Sequence, residues 1–270
     1  MTSVRDALDS ALVALNAAGV ENARLDAELL LAEALGVDRT RLYLDRDLVV
    51  RGPAVRRFQD LVRRRAIERE PIAYLLGTKG FRRLELQVDR RVLIPRPETE
   101  LLVEVAAAGV RPGARVVDVG TGSGAVALAL ADERSDLEVV GSDVSADALA
   151  VAAANGERLG SRVAWRQADG LPPGSWDAVV ANLPYVETSA TLAPEITRHE
   201  PAIAVFSGED GLDAIRRVID QAAAARVPWV AFEHGSEQGP QVRMLLSLAG
   251  WRSVRTERDL AGLERVSVGC

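Results

Sequence analysis

One stretch of nine residues, from Val116 to Gly124, restricts the possible folds of this chain more than any other. It reads Val-Val-Asp-Val-Gly-Thr-Gly-Ser-Gly, so a short apolar run meets an acid and then three glycines at alternate positions. The helix-like run Ala125 to Ala131 follows at once, which predicts a strand, a tight glycine loop and a helix N-terminus. Such a unit brings backbone N–H groups close to a ligand that bears an anionic group. The glycine spacing differs from the G-x-G-x-x-G of dinucleotide sites and disfavours NAD.

Acids at the ends of successive strands indicate a nucleoside ligand. Asp143 lies 19 residues beyond Gly124, at the end of a second apolar run, where a carboxylate can accept both ribose hydroxyls. Asp169 closes the next strand candidate. Together with Asp118, these acids are expected at the carboxyl edge of a parallel sheet, where open α/β sheets bind ligands. A glycine turn that only connects strand and helix is the alternative, and the combined motifs favour a nucleoside-type cofactor over it.

The second half of the chain alternates strands with helices. This predicts a mostly parallel, doubly wound α/β sheet of seven strands, the Rossmann-like arrangement. Only a short polar loop separates the last two strand candidates, so this pair should be antiparallel. The predicted strands are 115–119, 138–143, 162–167, 176–182, 227–232, 251–256 and 264–269.

The first part of the chain has helical periodicity, and Ser3 is a candidate cap for its first helix. Apolar runs at 84–88 and 92–94 then predict a β-hairpin. We therefore expect a helical domain at 1–77, a hairpin linker at 78–95 and a cofactor-binding domain at 96–270. The predicted helices run from Val4 to near Gly19, from Asn22 to Leu35 and from Pro53 to about Glu70, with a turn around Leu42.

The charge of the chain is unevenly distributed. The net charge is −6, yet Arg51 to Arg96 contains 13 basic and 5 acidic residues, so this segment carries +8 and the rest −14. Arg63, Arg64 and Arg65 are consecutive and fan around a helix, so they cannot all pair with one neighbour. The segment is either a solvated face or a docking surface for an acidic or RNA-associated partner, and its density favours docking.

Composition predicts a cytoplasmic protein without a metal site. No apolar run approaches the ~18 to 20 residues of a membrane span, and Asp6 and Asp9 lie where a signal peptide would be apolar. The only cysteine is Cys270, which excludes an intramolecular disulfide and a cysteine metal cluster. With two histidines in the chain, a histidine-rich metal site is not expected.

The fourth predicted strand ends in Asn182-Leu183-Pro184-Tyr185. About 25 residues without clear periodicity follow before a helix near Gly211, and connections of that length over a crevice often act as lids or contact substrate. A plain strand-ending turn is the alternative, because Asn and Pro are turn residues. The shared sheet edge with the acids favours a functional role.

With these elements in this order, the chain resembles the class I S-adenosylmethionine-dependent methyltransferases. More closely, it resembles the protein-(glutamine-N5) methyltransferases that modify class 1 peptide-chain release factors, and the likeness spans nearly the whole chain. The motifs that carry it are Tyr74-Leu-Leu-Gly77, Ile94-Pro-Arg-Pro-Glu-Thr-Glu100, Gly120-Thr-Gly-Ser-Gly124, Asn182 to Tyr185, and Gly208-Glu-Asp-Gly-Leu212.

The resemblance implies S-adenosylmethionine as cofactor. By that resemblance Asp143 contacts the ribose, Asp169 and Gly170 lie at the adenine, and Asn182 borders both cofactor and substrate. Gly170 departs from the family, where a bulkier side chain often covers the adenine. The residues implied to cradle the methionine part are Gly120, Thr121, Gly122, Ser123 and Gly124.

The resemblance also implies how a glutamine amide is methylated. The family motif is Asn-Pro-Pro-Tyr, and Leu183 replaces its first proline. The group used at that position is a backbone carbonyl, which leucine also has, while Pro184 still keeps the preceding residue extended. The Asn182 side-chain oxygen and the Leu183 carbonyl would accept the two amide hydrogens, and Tyr185 would pack against the flat amide.

The expected partner is a release factor, which the helical domain would recognise. We expect no membrane association and no stable nucleic-acid partner, and we expect the protein to be a monomer. The main alternative is an N6-adenine methyltransferase of DNA or RNA, which uses the same Asn-x-Pro-Tyr end on a similarly planar nitrogen. The +8 segment favours that alternative, whereas the overall acidity weighs against it. A non-enzymatic cofactor-binding protein would keep the glycine loop without the motif that begins at Asn182.

Overall fold

The computed structural model describes residues 2–45 and 48–270, and it divides the chain into two compact units. The first unit comprises Met1–Gly77 together with Leu192–His199, and the second comprises Thr78–Thr191 and Glu200–Cys270. Each unit has its own buried apolar core.

Local signals position the helices of the first unit. The Ser3 hydroxyl accepts the Asp6 N–H at 3.1 Å and the Asp6 carboxylate accepts the Ser3 N–H at 3.1 Å, a capping box that confirms the predicted cap. Gly36 ends the second helix with a left-handed backbone, φ +67°. The helices are α1 (Val4–Ala17), α2 (Ala23–Leu35), α3 (Arg39–Leu44), α4 (Pro53–Arg63), α5 (Ile72–Leu76) and, from the later segment, α9 (Pro194–His199).

Three details of this unit differ from the predictions. The expected turn around Leu42 is the helix α3, which begins because the Asp38 side chain caps it through the N–H of Arg41. The predicted third helix is α4 followed by one π-helical turn, Arg64–Glu68. The unit is also not purely helical, since β1 (Thr2–Ser3) pairs antiparallel with β2 (Val49–Val50). Strands of two residues are too short to give a periodic pattern.

The three consecutive arginines are bound within the unit. Arg65 is 9% exposed, and its guanidinium donates to Asp26 at 2.7 Å and to Glu195 at 2.9 Å. Arg64 is half-buried and ion-paired, and only Arg63 is exposed. The prediction of a docking surface is therefore wrong for Arg65, because its charge is compensated in the interior.

The second unit contains the predicted seven-stranded sheet, in the order β10-β11-β9-β8-β5-β6-β7. Neighbouring strands from β5 to β9 are parallel, while β11 runs antiparallel to both β9 and β10, as predicted for the last pair. The strands are β5 (Arg115–Val119), β6 (Glu138–Asp143), β7 (Ala164–Gln167), β8 (Ala178–Ala181), β9 (Trp229–Glu233), β10 (Val254–Arg258) and β11 (Glu264–Gly269).

Helices cover both faces of this sheet, which is why its central strands are continuously apolar. Every residue of β8 is fully buried. Residues of β8 alternate between two cores, one shared with α6 and α7 and the other with α10 and α11. The helices are α6 (Glu100–Gly109), α7 (Ala125–Glu133), α8 (Ala146–Arg158), α10 (Asp213–Ala224) and α11 (Gly239–Ala249).

The β-hairpin is shifted from its predicted position. Its strands are β3 (Thr78–Phe81) and β4 (Leu84–Gln87), which pair antiparallel. The apolar run at 92–94 is not a strand, because the N–H of Val92 closes a turn onto the carbonyl of Asp89. The first hairpin strand lacks apolar alternation, so its sequence carries no strand signal.

Among the described residues, no helix has both the length and the apolar character to cross a bilayer.

The buried ion pair of Arg65 generates a stability prediction. Arg65→Ala leaves the buried carboxylate of Asp26 without this partner and should lower the free energy of unfolding by about 3 to 5 kcal/mol. Arg63→Ala is the control, because Arg63 is exposed and its ion pairs contribute little. Urea unfolding followed by circular dichroism measures both. Equal, small losses for the two variants would contradict a structural role for the Arg65 pair.

Candidate active site

A cavity of about 530 Å³ lies at the carboxyl edge of the sheet. Residues that follow β5, β6, β7 and β8 line it, as the shared edge of the four strands predicts. Eight of the residues predicted for the site line this cavity: Gly120, Gly122, Asp143, Asp169, Gly170, Asn182, Leu183 and Pro184.

Asp118 does not reach the ligand side of the edge, contrary to the prediction. It is 1% exposed, and its Oδ2 accepts the Thr121 hydroxyl at 2.6 Å and the Ala127 N–H at 3.2 Å. Burial raises the pKa of Asp118 to about 7. Asp118 therefore joins the end of β5, the glycine loop and the start of α7 without being part of the cavity lining.

The glycine loop uses its own N–H groups internally. Gly120 and Thr121 both donate to the Ser142 carbonyl at 2.8 Å, and Gly122 donates to Asp143 Oδ2 at 2.9 Å. These three amides are therefore already hydrogen-bonded within the loop, and the cradling of the methionine part by the loop stays a prediction. Thr121, Ser123 and Gly124 are buried behind the cavity surface and support the loop.

Two glycines are required at the cavity for steric reasons. Gly120 has φ +74°, and a Cβ there would lie 3.0 Å from Leu183 Cδ2. Gly170 has φ +88°, and a Cβ there would lie 2.1 Å from Gln221 Oε1. That oxygen accepts the Leu171 N–H at 2.8 Å. A side chain at position 170 would therefore displace Gln221.

Asp143 has a fixed carboxylate with spare acceptor capacity. Its Oδ1 accepts the Ser145 N–H and its Oδ2 the Gly122 N–H, both at 2.9 Å. Each carboxylate oxygen has two lone pairs, so one on each oxygen remains for a ligand. Two oriented acceptors on one half-buried carboxylate suit the two adjacent hydroxyls of a ribose.

Asp169 and the connection after β8 form the opposite part of the lining. Asp169 is exposed and ion-paired with Arg217 of α10 at 2.5 Å. Ile203 also lines the cavity and is 64% exposed, an apolar side chain available to cover a flat ligand.

The long connection after β8 has more structure than its sequence indicated. It contains α9 and a 3₁₀ turn at Ala202–Ala204. Val186 forms a parallel bridge with Phe206, and the Ser207 N–H donates to the Val186 carbonyl at 2.8 Å. These bonds bring residues 203–208 to the cavity. Isolated bridges leave no repeating pattern, so sequence periodicity could not reveal them.

Asn182 is held by a residue to which no role was assigned. Its Nδ2 donates to Thr99 Oγ1 at 3.0 Å, and Thr99 is 3% exposed in the 3₁₀ turn Pro97–Thr99. This bond leaves Oδ1 of Asn182 as the acceptor for other groups. Thr99 lies within the Pro-Arg-Pro-Glu-Thr-Glu segment, so the motif pointed to it without giving its function.

Tyr185 does not line the cavity, although the sequence predicted an aromatic face for the substrate there. It is half-buried, and burial, followed by the nearby Glu233, raises its pKa to about 12, so the phenol stays protonated. The Tyr185 carbonyl accepts Nε2 of Gln238 at 3.0 Å.

Glu233 was missed although the strand-end argument applies to it. It ends β9, is 1% exposed, and burial raises its pKa to about 7. The predicted strand stopped one residue earlier, at 232, and therefore left this acid outside it.

Among the described residues, no group of three or more histidines, cysteines or acids could hold a metal ion.

Comparison with known proteins agrees with this arrangement along nearly the whole chain. A sequence profile of the PrmC N-terminal domain matches residues 6–77, and a methyltransferase domain profile matches residues 116–199. The release factor glutamine methyltransferase of Xylella fastidiosa is 42% identical over 97% of this chain and 98% of its own length. The enzyme of that name from Pseudomonas aeruginosa is 43% identical over 92% of each chain.

Solved structures show the fold alone. The hMettl16 catalytic domain in complex with MAT2A 3′UTR hairpin 6 gives a TM-score of 0.55 at 14% identity, over 80% of this chain and 81% of that chain. A methyltransferase from Pyrococcus furiosus gives 0.52 at 17% identity, over 68% of this chain and 87% of that chain. The family is shown by the sequence identity over nearly the full length of the chain, and not by these structural similarities. The chain belongs to the release factor glutamine methyltransferase family.

Proposed function

We propose that this protein transfers the methyl group of S-adenosylmethionine to the side-chain nitrogen of the glutamine in the Gly-Gly-Gln motif of class 1 peptide-chain release factors. One observation carries the proposal. Asn182, Leu183 and Pro184 line the same cavity as Asp143 and the glycine loop, so amide acceptors and a nucleoside site adjoin. The full-length identity to release factor glutamine methyltransferases supports the same substrate.

The residues of the cavity suit S-adenosylmethionine. Asp143 offers two oriented lone pairs for the ribose, and Gly120 leaves space that a side chain would fill. Asp169 and Gly170 would hold the adenine end, beside the exposed Ile203. When bound, the cofactor supplies an electrophilic methyl group.

The protein has to orient a weak nucleophile. An amide nitrogen shares its lone pair with the carbonyl, so its two hydrogens must be held where the nitrogen can face the methyl donor. Asn182 Oδ1 and the Leu183 carbonyl are suitable acceptors, because the Asn182 amide nitrogen is already bonded to Thr99. Orientation of this kind needs no strong base, and the neutral phenol of Tyr185 supplies none.

We also propose that the helical domain at 1–77 recognises the protein substrate, with the hairpin linker at 78–95 and the catalytic domain at 96–270. The match of residues 6–77 to a domain specific to this family supports a family-specific role. The exposed cations of this domain, rather than the buried Arg65, are the candidates for contact. They include Arg51, Arg56 and Arg57.

Removal of the Asp143 carboxylate should weaken cofactor binding. Asp143→Ala should cost roughly 1.5 to 3 kcal/mol of binding free energy, the range for hydrogen bonds to a charged group. Calorimetric titration with S-adenosylhomocysteine measures this loss. Asp177→Ala is a matched control, because Asp177 also accepts a backbone N–H but lies at the opposite edge of the sheet. Unchanged affinity in Asp143→Ala would refute the ribose assignment.

The second position of the motif tests the substrate assignment. If the Leu183 carbonyl is the working group, Leu183→Pro should keep activity, whereas Asn182→Ala should lose most of it. Mass spectrometry of the Gly-Gly-Gln peptide, after reaction of the release factor with each protein, measures both.

Bulk DNA and RNA provide the competing substrates in the same assay. Labelled nucleic acid together with an unmodified glutamine would overturn the proposed function in favour of adenine methylation.

A further inference from the structure

Glu233 is a buried carboxyl group without a formed hydrogen bond. Within the described part of the chain, neither of its carboxylate oxygens has a partner in bonding geometry. A buried and unbonded carboxylate is costly, so such a group in a folded protein calls for an explanation. Glu233 ends the strand next to β8, whose own end carries Asn182.

Two neighbours of Glu233 are connected with the Asn182 motif: Thr99 is hydrogen-bonded to Asn182, and Tyr185 is the last residue of the motif. The hydroxyl groups of Thr99 and Tyr185 lie close enough that hydrogen bonds from them would lower the pKa of Glu233. Arg265 acts in the same direction and Glu98 in the opposite one, while burial dominates and raises this pKa to about 7.

Thr99 connects Glu233 to Asn182. A threonine hydroxyl has one hydrogen to donate and two lone pairs to accept with. The Thr99 oxygen accepts from Asn182 Nδ2 at 3.0 Å, so its hydrogen is free for another acceptor. An ionised Glu233 can only accept, and it therefore determines the direction of the chain of hydrogen bonds. With the Thr99 hydrogen pointing to Glu233, Asn182 can present only its NH₂ group to Thr99.

We propose that Thr99 and Glu233 are positioning residues for methyl transfer: Glu233 accepts the Thr99 hydroxyl hydrogen, and Thr99 thereby fixes the Asn182 amide with Oδ1 left for the substrate. This inference rests on the proposed function for its catalytic consequence. The Tyr185 hydroxyl, which also lies near Glu233, would be a second donor to this carboxylate, and Tyr185 is not part of the cavity lining.

Protonation of Glu233 reverses the chain of hydrogen bonds. A neutral carboxyl donates to Thr99, whose own hydrogen then goes to Asn182 Oδ1 and occupies the acceptor that the substrate needs. The turnover number should therefore rise with pH through about 7, as Glu233 ionises. Besides Glu98, Arg265 and Tyr185, the adjacent His234 is titratable, but burial lowers its pKa below the ordinary value.

Substitution of Thr99 tests the proposal through kcat. Thr99→Val, which is nearly isosteric, should lower kcat on the release factor about 100-fold, as expected when a reacting group loses its orientation. Affinity for S-adenosylhomocysteine should be unchanged, which reports a folded site, and Thr99→Ser should restore most of the rate. Thr256→Val is the matched control, because Thr256 has a hydrogen-bonded hydroxyl in the same unit outside the site. A kcat of Thr99→Val within threefold of the native value would overturn the proposal.

Glu233→Gln tests the direction of the chain. This variant should lose the rise of kcat around pH 7, because the group at 233 no longer ionises. A profile with the native midpoint in Glu233→Gln would assign the titration to another group and overturn the role of Glu233.

A nuclear magnetic resonance measurement separates this inference from the proposed function. The side-chain ¹⁵NH₂ signal of Asn182, assigned by its absence in Asn182→Ala, should be protected from hydrogen exchange in the native protein and lose protection in Thr99→Val. This readout needs neither substrate nor turnover. If native protein fails to methylate the release factor but the signal behaves as expected, the proposed function fails while the Thr99 contact stands. Equal exchange in native protein and Thr99→Val overturns the contact itself.

Discussion

The candidate site depends on the hydrogen bonds of one buried carboxyl group, that of Asp118. It accepts a side-chain hydroxyl from the glycine loop and a backbone N–H from the first turn of α7, so it joins strand, loop and helix. Burial of a carboxylate is unfavourable and raises the pKa of Asp118 to about 7, and the two donors offset part of that cost. Because Ser142 and Asp143 accept the loop amides, the loop keeps its shape without help from a ligand. The glycine loop therefore offers a ligand a preformed surface.

The parallel sheet places the remaining groups with little help from side chains. Asp143 ends β6 and Asn182 follows β8, and the register of β6, β5 and β8 brings those strand ends to one edge. Side-chain contacts then set orientation. Asp143 is oriented by two backbone amides and Asn182 by one hydroxyl. A leucine at 183 is accommodated because its side chain packs over Gly120, which has no Cβ to collide with it.

The sequence predicted the sheet well because buried strands are continuous apolar runs that end at charged or turn residues. Three strands were predicted to the residue, those at 115–119, 138–143 and 264–269. The first hairpin strand was missed because Thr78–Phe81 has no apolar alternation.

Side-chain roles were harder to predict than strand positions. A strand end reveals that an acid lies near an edge, but not which side its carboxylate faces, and this misplaced Asp118. The fate of Arg65 depends on Asp26 and Glu195, which are 39 and 130 residues away, so no local pattern could show its burial. Thr99 was visible only as part of a motif, since its contact with Asn182 spans 83 residues.

Helix α9 changes what counts as a domain in this chain. Residues 192–199 cluster with the helical unit although they follow β8 in the sequence, and Glu195 and His199 find their partners at Arg65, Arg69 and Glu68. The helical unit is therefore discontinuous, and a chain cut after Gly77 would not release a self-sufficient methyltransferase. It would leave the Glu195 carboxylate and the His199 imidazole without these partners, in the connection that follows Asn182. A minimal catalytic fragment would therefore also need a redesigned α9.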